Sequence, residues 1–518
     1  MKQHCCDGLY RLSVAVVSLA VLPLHVGAEA PTPTLAGLDD YVVQAMGAWE
    51  VPGMAVAVVK DDAVVLAKGY GIREIGKPGP VDADTLFAIG SNTKAFTVTA
   101  LGMLVSEDKL GWDDPVITHM PTLQLYDPYA TREITVRDLL CHRAGYGTWS
   151  GDFVAWGSTY DREELIRRLR FLKPECSFRS RFGYSNAMFL VAGQLIPRVA
   201  GTSWDDFLNQ RIFEPLGMSR TNTSVRDLDG VPNVAAPHTR VEGEVVAIPY
   251  ANIDNDAPAG SINSSALDMA RWIRMQLGNG TFEGMEIVSA DALREARTPH
   301  TVVGRPSRRA GSRSKFFAHY GLGWVLADYA GRQLVTHDGG VDGMLSQVAL
   351  IPEDKLGVVV LTNFDDQRLF AALCLRVLDA MLGLEPRDLS GEYLERFKKG
   401  RAAEEEAKKE AQAARAKDTE PSHELAAYCG RYTNELYGEA AVAEEGGRLV
   451  LHPSAHPSAH CVMEHWHYDT FLCRWNNPTF GESMIPFGLD AEGNVETFRL
   501  RVRPEFIDPL EYEFTRVE

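Results

Sequence analysis

The feature that most constrains the fold is the placement of strand-like segments at the two ends of a long helical stretch. Residues 53–60 and 63–70 are rich in valine and alanine, and Asp61-Asp62 between them is a hairpin signal. Comparable runs return at 321–328, 332–336, 345–351 and 357–362. From Ser91 to about residue 277 the chain reads as mostly helical. A helix period also precedes the first strand pair, at 35–49, and another follows the last, at 367–382. Such a chain closes one antiparallel sheet from its N- and C-terminal segments. The expected fold is α/β of the α+β type, an antiparallel sheet flanked by helices with a helical insert.

At 518 residues the chain exceeds one ordinary domain, and the composition changes near its end. Residues 396–417 are almost entirely Ala, Glu, Lys, Gln and Arg, with Glu404–Lys408 and Glu405–Lys409 at i,i+4 spacing, so a solvated helical linker is expected across 391–420. Beyond Pro421 short strand signals alternate with turns such as Glu445-Gly446-Gly447, which predicts a small β-barrel over 421–518. That barrel is expected to shape access or assembly and to supply no catalytic group. Every residue needed for the chemistry then lies within a domain spanning 35–390.

The first 28 residues read as a signal peptide, with Lys2 and Arg11 ahead of an apolar run at 12–24. A periplasmic or secreted protein follows, with no stable membrane insertion once the signal is removed. Six cysteines lie beyond the signal, and their spacing matches neither a dense disulfide framework nor a zinc pattern. One pair in the tail bridging the barrel and buried free thiols are both open. A net charge of -18 disfavours nucleic acid as a partner.

The chemistry is concentrated in three short motifs. Ser91-Asn92-Thr93-Lys94 follows an extended run ending in Gly90 and opens an apolar helix carrying Phe96, Ala100, Leu101 and Leu104. Residues i and i+3 share a helix face, so Lys94 points its amine at the Ser91 hydroxyl, and burial with the helix dipole lowers its pKa toward that of a base. The same Ser-x-x-Lys pattern at Ser106 and at Ser312 sits among polar residues. Tyr184-Ser185-Asn186 precedes a second apolar helix, and similar triplets begin at Tyr250 and Tyr432. His337-Asp338-Gly339-Gly340 runs off an apolar strand into glycines that allow close backbone approach.

In this order and separation the motifs resemble the penicillin-recognising serine hydrolases, in the branch of class C β-lactamases, D-alanyl carboxypeptidases, D-aminopeptidases and family VIII esterases. The 138–145 loop, Asp-Leu-Leu-Cys-His-Arg-Ala-Gly, and Ala259-Gly260-Ser261 are similar to further motifs of that family, and the tail is similar to a lipocalin-like domain appended to some members. The resemblance implies a nucleophile at Ser91, a general base and acid in Lys94 and Tyr184, and substrate contacts from Asn186 and His337. It also implies an oxyanion hole from the amides of Ser91 and Gly340 beside Gly339, with no cofactor and no metal. The implied substrate is a small molecule or peptide, and a homo-oligomer stays open.

Class C β-lactamases carry Lys-Thr-Gly where this chain has His337-Asp338-Gly339. A histidine is a weaker carboxylate anchor than a lysine, which ranks a peptidase or esterase ahead of a β-lactamase. Asp338 is expected to raise the His337 pKa and restore some positive charge. A catalytically inactive penicillin- or cell-wall-binding protein is the alternative of another class. His142 is expected to tie its loop to the core, and the tail repeat His456-Pro457-Ser458-Ala459-His460 to be loop sequence and not a metal site.

Overall fold

A computed structural model describes residues 35–304, 313–314, 316–385, 387–503 and 507–517. The signal-peptide reading and the Ser312–Lys315 pattern therefore lie outside the described residues. The main sheet contains β1 (Gly53–Lys60), β2 (Ala63–Gly71), β3 (Thr301–Val302), β4 (Ala318–Tyr320), β5 (Val325–Tyr329), β6 (Arg332–Val341), β7 (Met344–Ile351) and β8 (Leu356–Thr362). Its order is β2-β1-β8-β7-β6-β5-β4-β3, antiparallel throughout. The N-terminal hairpin thus joins the C-terminal strands through β1 and β8, with Val56 opposite Val360.

Alternation along the strands sends side chains into two separate cores. Met54, Val56 and Val58 pack with Val358 and Val360 under the flanking helices Leu38–Trp49 and Leu369–Met381. Ala55, Ala57 and Val59 face the other way, into the helical insert with Phe96, Trp272 and Val359. Phe96 stacks on Trp272 at 3.8 Å between ring centroids, which holds the Ser91 helix against helix Ala266–Leu277. A strand buried on both faces reads as a nearly continuous apolar run, as residues 53–59 do.

Several boundaries differ from the sequence expectation. The 321–328 run is not one strand: Gly321 to Gly323 form a turn, with Gly323 at φ 69, between β4 and β5. β6 continues through His337 to Val341, because its glycines pair in register with Ser346 and Leu345 of β7. The charged segment forms one helix, Leu389–Ala414, whose outer residues are largely exposed.

The tail closes into an eight-stranded antiparallel barrel, from Gly430–Asn434 to Tyr512–Val517, consistent with a lipocalin-like fold. Two of its strands, Cys461–His467 and Glu482–Leu489, carry weak strand signals in the sequence. The first is rich in histidine and carries a register shift, and the second is broken by Pro486. A disulfide joins Cys461 to Cys473 on neighbouring strands, while Cys141, Cys176, Cys374 and Cys429 are free.

The barrel is not a detached appendage. Its end carrying the loops around residues 435–437, 454–460, 476–481, 501–503 and 507–511 faces the sheet domain, and Phe153 from that domain is seated there among Tyr437, His456, Trp475, Phe480 and Tyr512. No described helix is long and apolar enough to cross a membrane.

Candidate active site

Ser91 lies in a 3-10 turn, Gly90–Asn92, that runs directly into helix Thr93–Ser106. Gly90 holds a positive φ of 53, and a Cβ there would come within 2.5 Å of the Gly340 amide nitrogen. A Cβ at Gly339 would lie 1.9 Å from the Ile89 carbonyl oxygen. Only glycines allow β6 to pass this close, and the passage brings the Gly340 amide beside the serine turn. Asn92 locks the arrangement by donating to Ser346 Oγ at 2.7 Å, while Ser346 donates to the Ile89 carbonyl at 2.7 Å.

Lys94 is fully buried, and its Nζ has three partners: Ser91 Oγ at 3.0 Å, Asn186 Oδ1 at 2.6 Å and the Ala259 carbonyl at 2.7 Å. Asn186 opens helix Asn186–Gly193, and its Nδ2 donates to Asp152 Oδ2 at 2.6 Å, which fixes the amide so that Oδ1 faces the lysine. Asn186 Oδ1 and Ala259 O can only accept. A neutral amine therefore spends its two N–H groups on them and has its lone pair left for the Ser91 proton. Burial lowers the Lys94 pKa to about 7, against the upward pull of Asp256, Asp152 and Asp338.

The Tyr184 ring lies 4.8 Å from Lys94 Nζ and its buried hydroxyl has no partner in good hydrogen-bond geometry. Burial pushes its pKa well above the ordinary phenol value, with the neighbouring Ser91 hydroxyl opposing. His142 packs against it at 4.1 Å between centroids and accepts from the Ser185 amide at 3.0 Å, so it ties the 138–145 loop to the Tyr184 segment. Burial depresses the His142 pKa well below that of a free imidazole.

His337 departs from its expected place. It is 2% exposed, with Nδ1 2.5 Å from the Asp338 carbonyl and Nε2 2.8 Å from the Tyr320 hydroxyl. A carbonyl only accepts, so Nδ1 carries the proton and Tyr320 donates to Nε2. Burial lowers the His337 pKa to about 4 and outweighs the upward pull of Asp338. The expected partial positive charge is thus corrected to a neutral ring. Alternation along β6 turns Asp338, not His337, toward the substrate cleft.

That cleft has a volume of about 320 Å³ and contains Ser91, Tyr184, Asn186, Gly339 and Gly340, walled by Trp149, Trp156, Phe182 and Ile507. Ile507 comes from the C-terminal domain. Two carboxyls escaped the sequence reading. Asp152 is pushed well above the usual carboxylate range by burial and then by Asp256 and Asp508, with Asn186 and Lys94 opposing. Asp256 is pushed up to about 7 by burial, with Lys94 and Arg162 opposing. Asp152 opens the four-residue helix Asp152–Ala155 and Asp256 closes the 3-10 turn Asp254–Asp256, elements too short to show a periodicity, and only the fold brings them to Lys94.

The other copies of the motifs have local roles. Ser106 donates to the Gly102 carbonyl, Lys109 pairs with Glu107 at the surface, and Tyr250 and Tyr432 donate to the carbonyls of Ala235 and Tyr428. Among the tail histidines, His456 donates to the Trp156 carbonyl and accepts from Tyr437, and His452 pairs with Glu445. Among the described residues no His, Cys, Asp and Glu cluster is arranged to hold a metal.

A buried Ser-x-x-Lys pair at a helix start, a tyrosine and asparagine from a second helix, and a β-strand passing the serine define a serine-hydrolase site of the penicillin-binding-protein and β-lactamase type. Residues 38–379 match the Beta-lactamase family model, and the chain belongs to that family. Residues 414–516 match a domain of unknown function, DUF3471. The chain is 30% identical over 383 residues to the unguisins hydrolase ungD of Aspergillus violaceofuscus, covering 69% of this chain and 66% of that protein. It is 25% identical over 334 residues to protein flp of Staphylococcus aureus, covering 64% of this chain and 63% of the relative. The octameric penicillin-binding protein homologue from Pyrococcus abyssi shares the fold at a TM-score of 0.60 and 23% identity, over 93% of this chain and all of that one.

Proposed function

We propose that the protein is an exported serine hydrolase that cleaves amide or ester bonds through an acyl-enzyme on Ser91. The observation that carries the reading is the donor and acceptor balance at Lys94, whose two acceptor-only partners leave the lone pair of the neutral amine for the Ser91 proton. Ser91 Oγ attacks the substrate carbonyl as Lys94 takes its proton, and the amides of Ser91 and Gly340 stabilise the oxyanion, a contribution of about 10² to 10³ in rate per donor. Tyr184 then delivers its proton to the leaving group and regains one from the Lys94 ammonium, and water releases the acyl group by the same route in reverse. Gly339 supports the passage of β6, and His337 acts from beneath the site by orienting Tyr320 and the strand.

A peptidase or esterase is favoured over a β-lactamase. In place of a lysine the cleft presents the Asp338 carboxylate, and the adjacent His337 is neutral, so a substrate carboxylate has no cationic partner at this end of the strand. Export is supported by the leader-like N-terminus and the Cys461–Cys473 disulfide. Hydrolysis of p-nitrophenyl esters, D- and L-aminoacyl amides and nitrocefin, each against Ser91→Ala, tests the reading. Turnover of esters or amides that exceeds nitrocefin turnover and vanishes in Ser91→Ala is expected. Nitrocefin as the best substrate would reverse the ranking.

A further inference from the structure

The short helix Asp152–Ala155 stands between the two domains and touches both. On one side Asp152 holds the Asn186 amide, and Asn186 holds Lys94. On the other side Phe153 is completely buried in the barrel end, stacked on His456 at 4.8 Å with an interplanar angle of 9° and 5.2 Å from Tyr437 and Phe480. This helix has no side-chain cap of its own. Instead its Phe153 amide donates to Asp508 Oδ2 at 3.1 Å, and Asp508 is held in turn by the Tyr512 hydroxyl and the Leu510 amide. A cap that satisfies an orphan helix amide stabilises the turn it closes. Here the cap belongs to the other domain.

The contacts continue past the helix. The His456 ring donates to the Trp156 carbonyl at 2.9 Å, and the Thr159 amide donates to the Ala455 carbonyl at 2.8 Å. Trp156, a wall of the cleft, also donates to Asp342 at the end of β6. The segment bearing Asp152 is thus fastened to the barrel along its length, whereas Asn186 is reached from it by a single 2.6 Å hydrogen bond.

We propose that the C-terminal barrel is a positioning element of the active site, in which Phe153 and Asp508 hold Asp152 against Asn186 and so fix the oxygen on which Lys94 rests. Neither residue touches substrate; both act through Asp152. The inference rests on the assignment of Ser91 and Lys94 made above. Loosening the helix has two consequences. Asn186 loses its fixed orientation, and a misplacement of about 1 Å can cost on the order of 10²-fold in rate. Water also reaches Lys94, which is now enclosed by Asp152, Asp256, Asp338, Tyr184, His142 and His337. Its pKa then rises from about 7 toward the ordinary lysine value.

The test is the pre-steady-state burst of the full chain with p-nitrophenyl acetate, which gives both the number of active sites and the acylation rate per site across pH. Phe153→Ala is expected to lower the rate per titrated site about 10-fold or more and to move the rising pH limb upward, with Phe153→Leu recovering most of both. Asp508→Asn is expected to act in the same direction, and it decides the matter if Phe153→Ala does not fold. A variant that only destabilised the barrel would reduce the burst amplitude and leave rate and limb per site unchanged; that outcome overturns the proposal. A burst that survives in Ser91→Ala overturns the nucleophile assignment and this inference with it, and is recognised separately.

Discussion

The sheet domain and the barrel close their cores in different ways. The sheet is covered on both faces by helices of its own domain, and its strands from the two ends of the segment meet at β1 and β8. The barrel closes its hydrogen-bonded wall by itself but borrows Phe153 to fill the end that faces the site. The comparison separates chemistry from positioning. All groups proposed to move protons stand on the sheet domain, while part of the cleft wall and the cap of the Asp152 helix come from the barrel.

The largest effects should fall on the chemical side of that division. Lys94→Ala and Tyr184→Phe are each expected to lower turnover about 10²-fold or more with circular dichroism unchanged, as expected for general acid–base groups. Near-native turnover in either variant would remove that residue from the proton path. Asp256 offers a finer probe, because its carboxylate favours the ammonium form of Lys94. The proposed mechanism requires the neutral amine, so acylation is expected to rise with pH through about 7 in the wild type. Asp256→Asn removes the anion, lowers the lysine pKa and should shift the rising limb to lower pH in an ester acylation profile. A shift to higher pH would contradict the stated electrostatics.

On the barrel side the expected effects are smaller. Ile507→Ala widens the cleft and should change the ratio of kcat/KM between short and long acyl esters by about 10-fold, the scale of a few methylene contacts. Unchanged ratios would mean that Ile507 borders the cleft without touching substrate. The smallest effect is expected on the connecting helix, where Lys408 and Glu404 form an exposed pair at 3.8 Å. Glu404→Ala should alter unfolding free energy by no more than about 0.5 kcal/mol in urea denaturation.

Much of this arrangement was legible in the sequence because it is local. The valine-rich strands, the Ser91–Lys94 spacing and the glycines after His337 each announce themselves within ten residues, and the family resemblance put them in order. What stayed hidden depends on long-range contacts. Nothing near Asp152 or Asp256 distinguishes a carboxyl aimed at Lys94 from one that caps a turn. Phe153 looks like any core phenylalanine, and its core turns out to belong to the other domain. The charge of His337 was misjudged for the same reason, since sequence shows the adjacent Asp338 but not the burial that outweighs it.

The central claim is that Ser91 is the nucleophile and Lys94 its base. Its most direct test is mass spectrometry of the full chain after reaction with a fluorophosphonate, for the wild type, Ser91→Ala and Lys94→Ala. The account predicts a stoichiometric adduct on the peptide containing Ser91, no adduct in Ser91→Ala and strongly slowed labelling in Lys94→Ala. An adduct on Ser106 or another serine, or labelling that persists in Ser91→Ala, would contradict it.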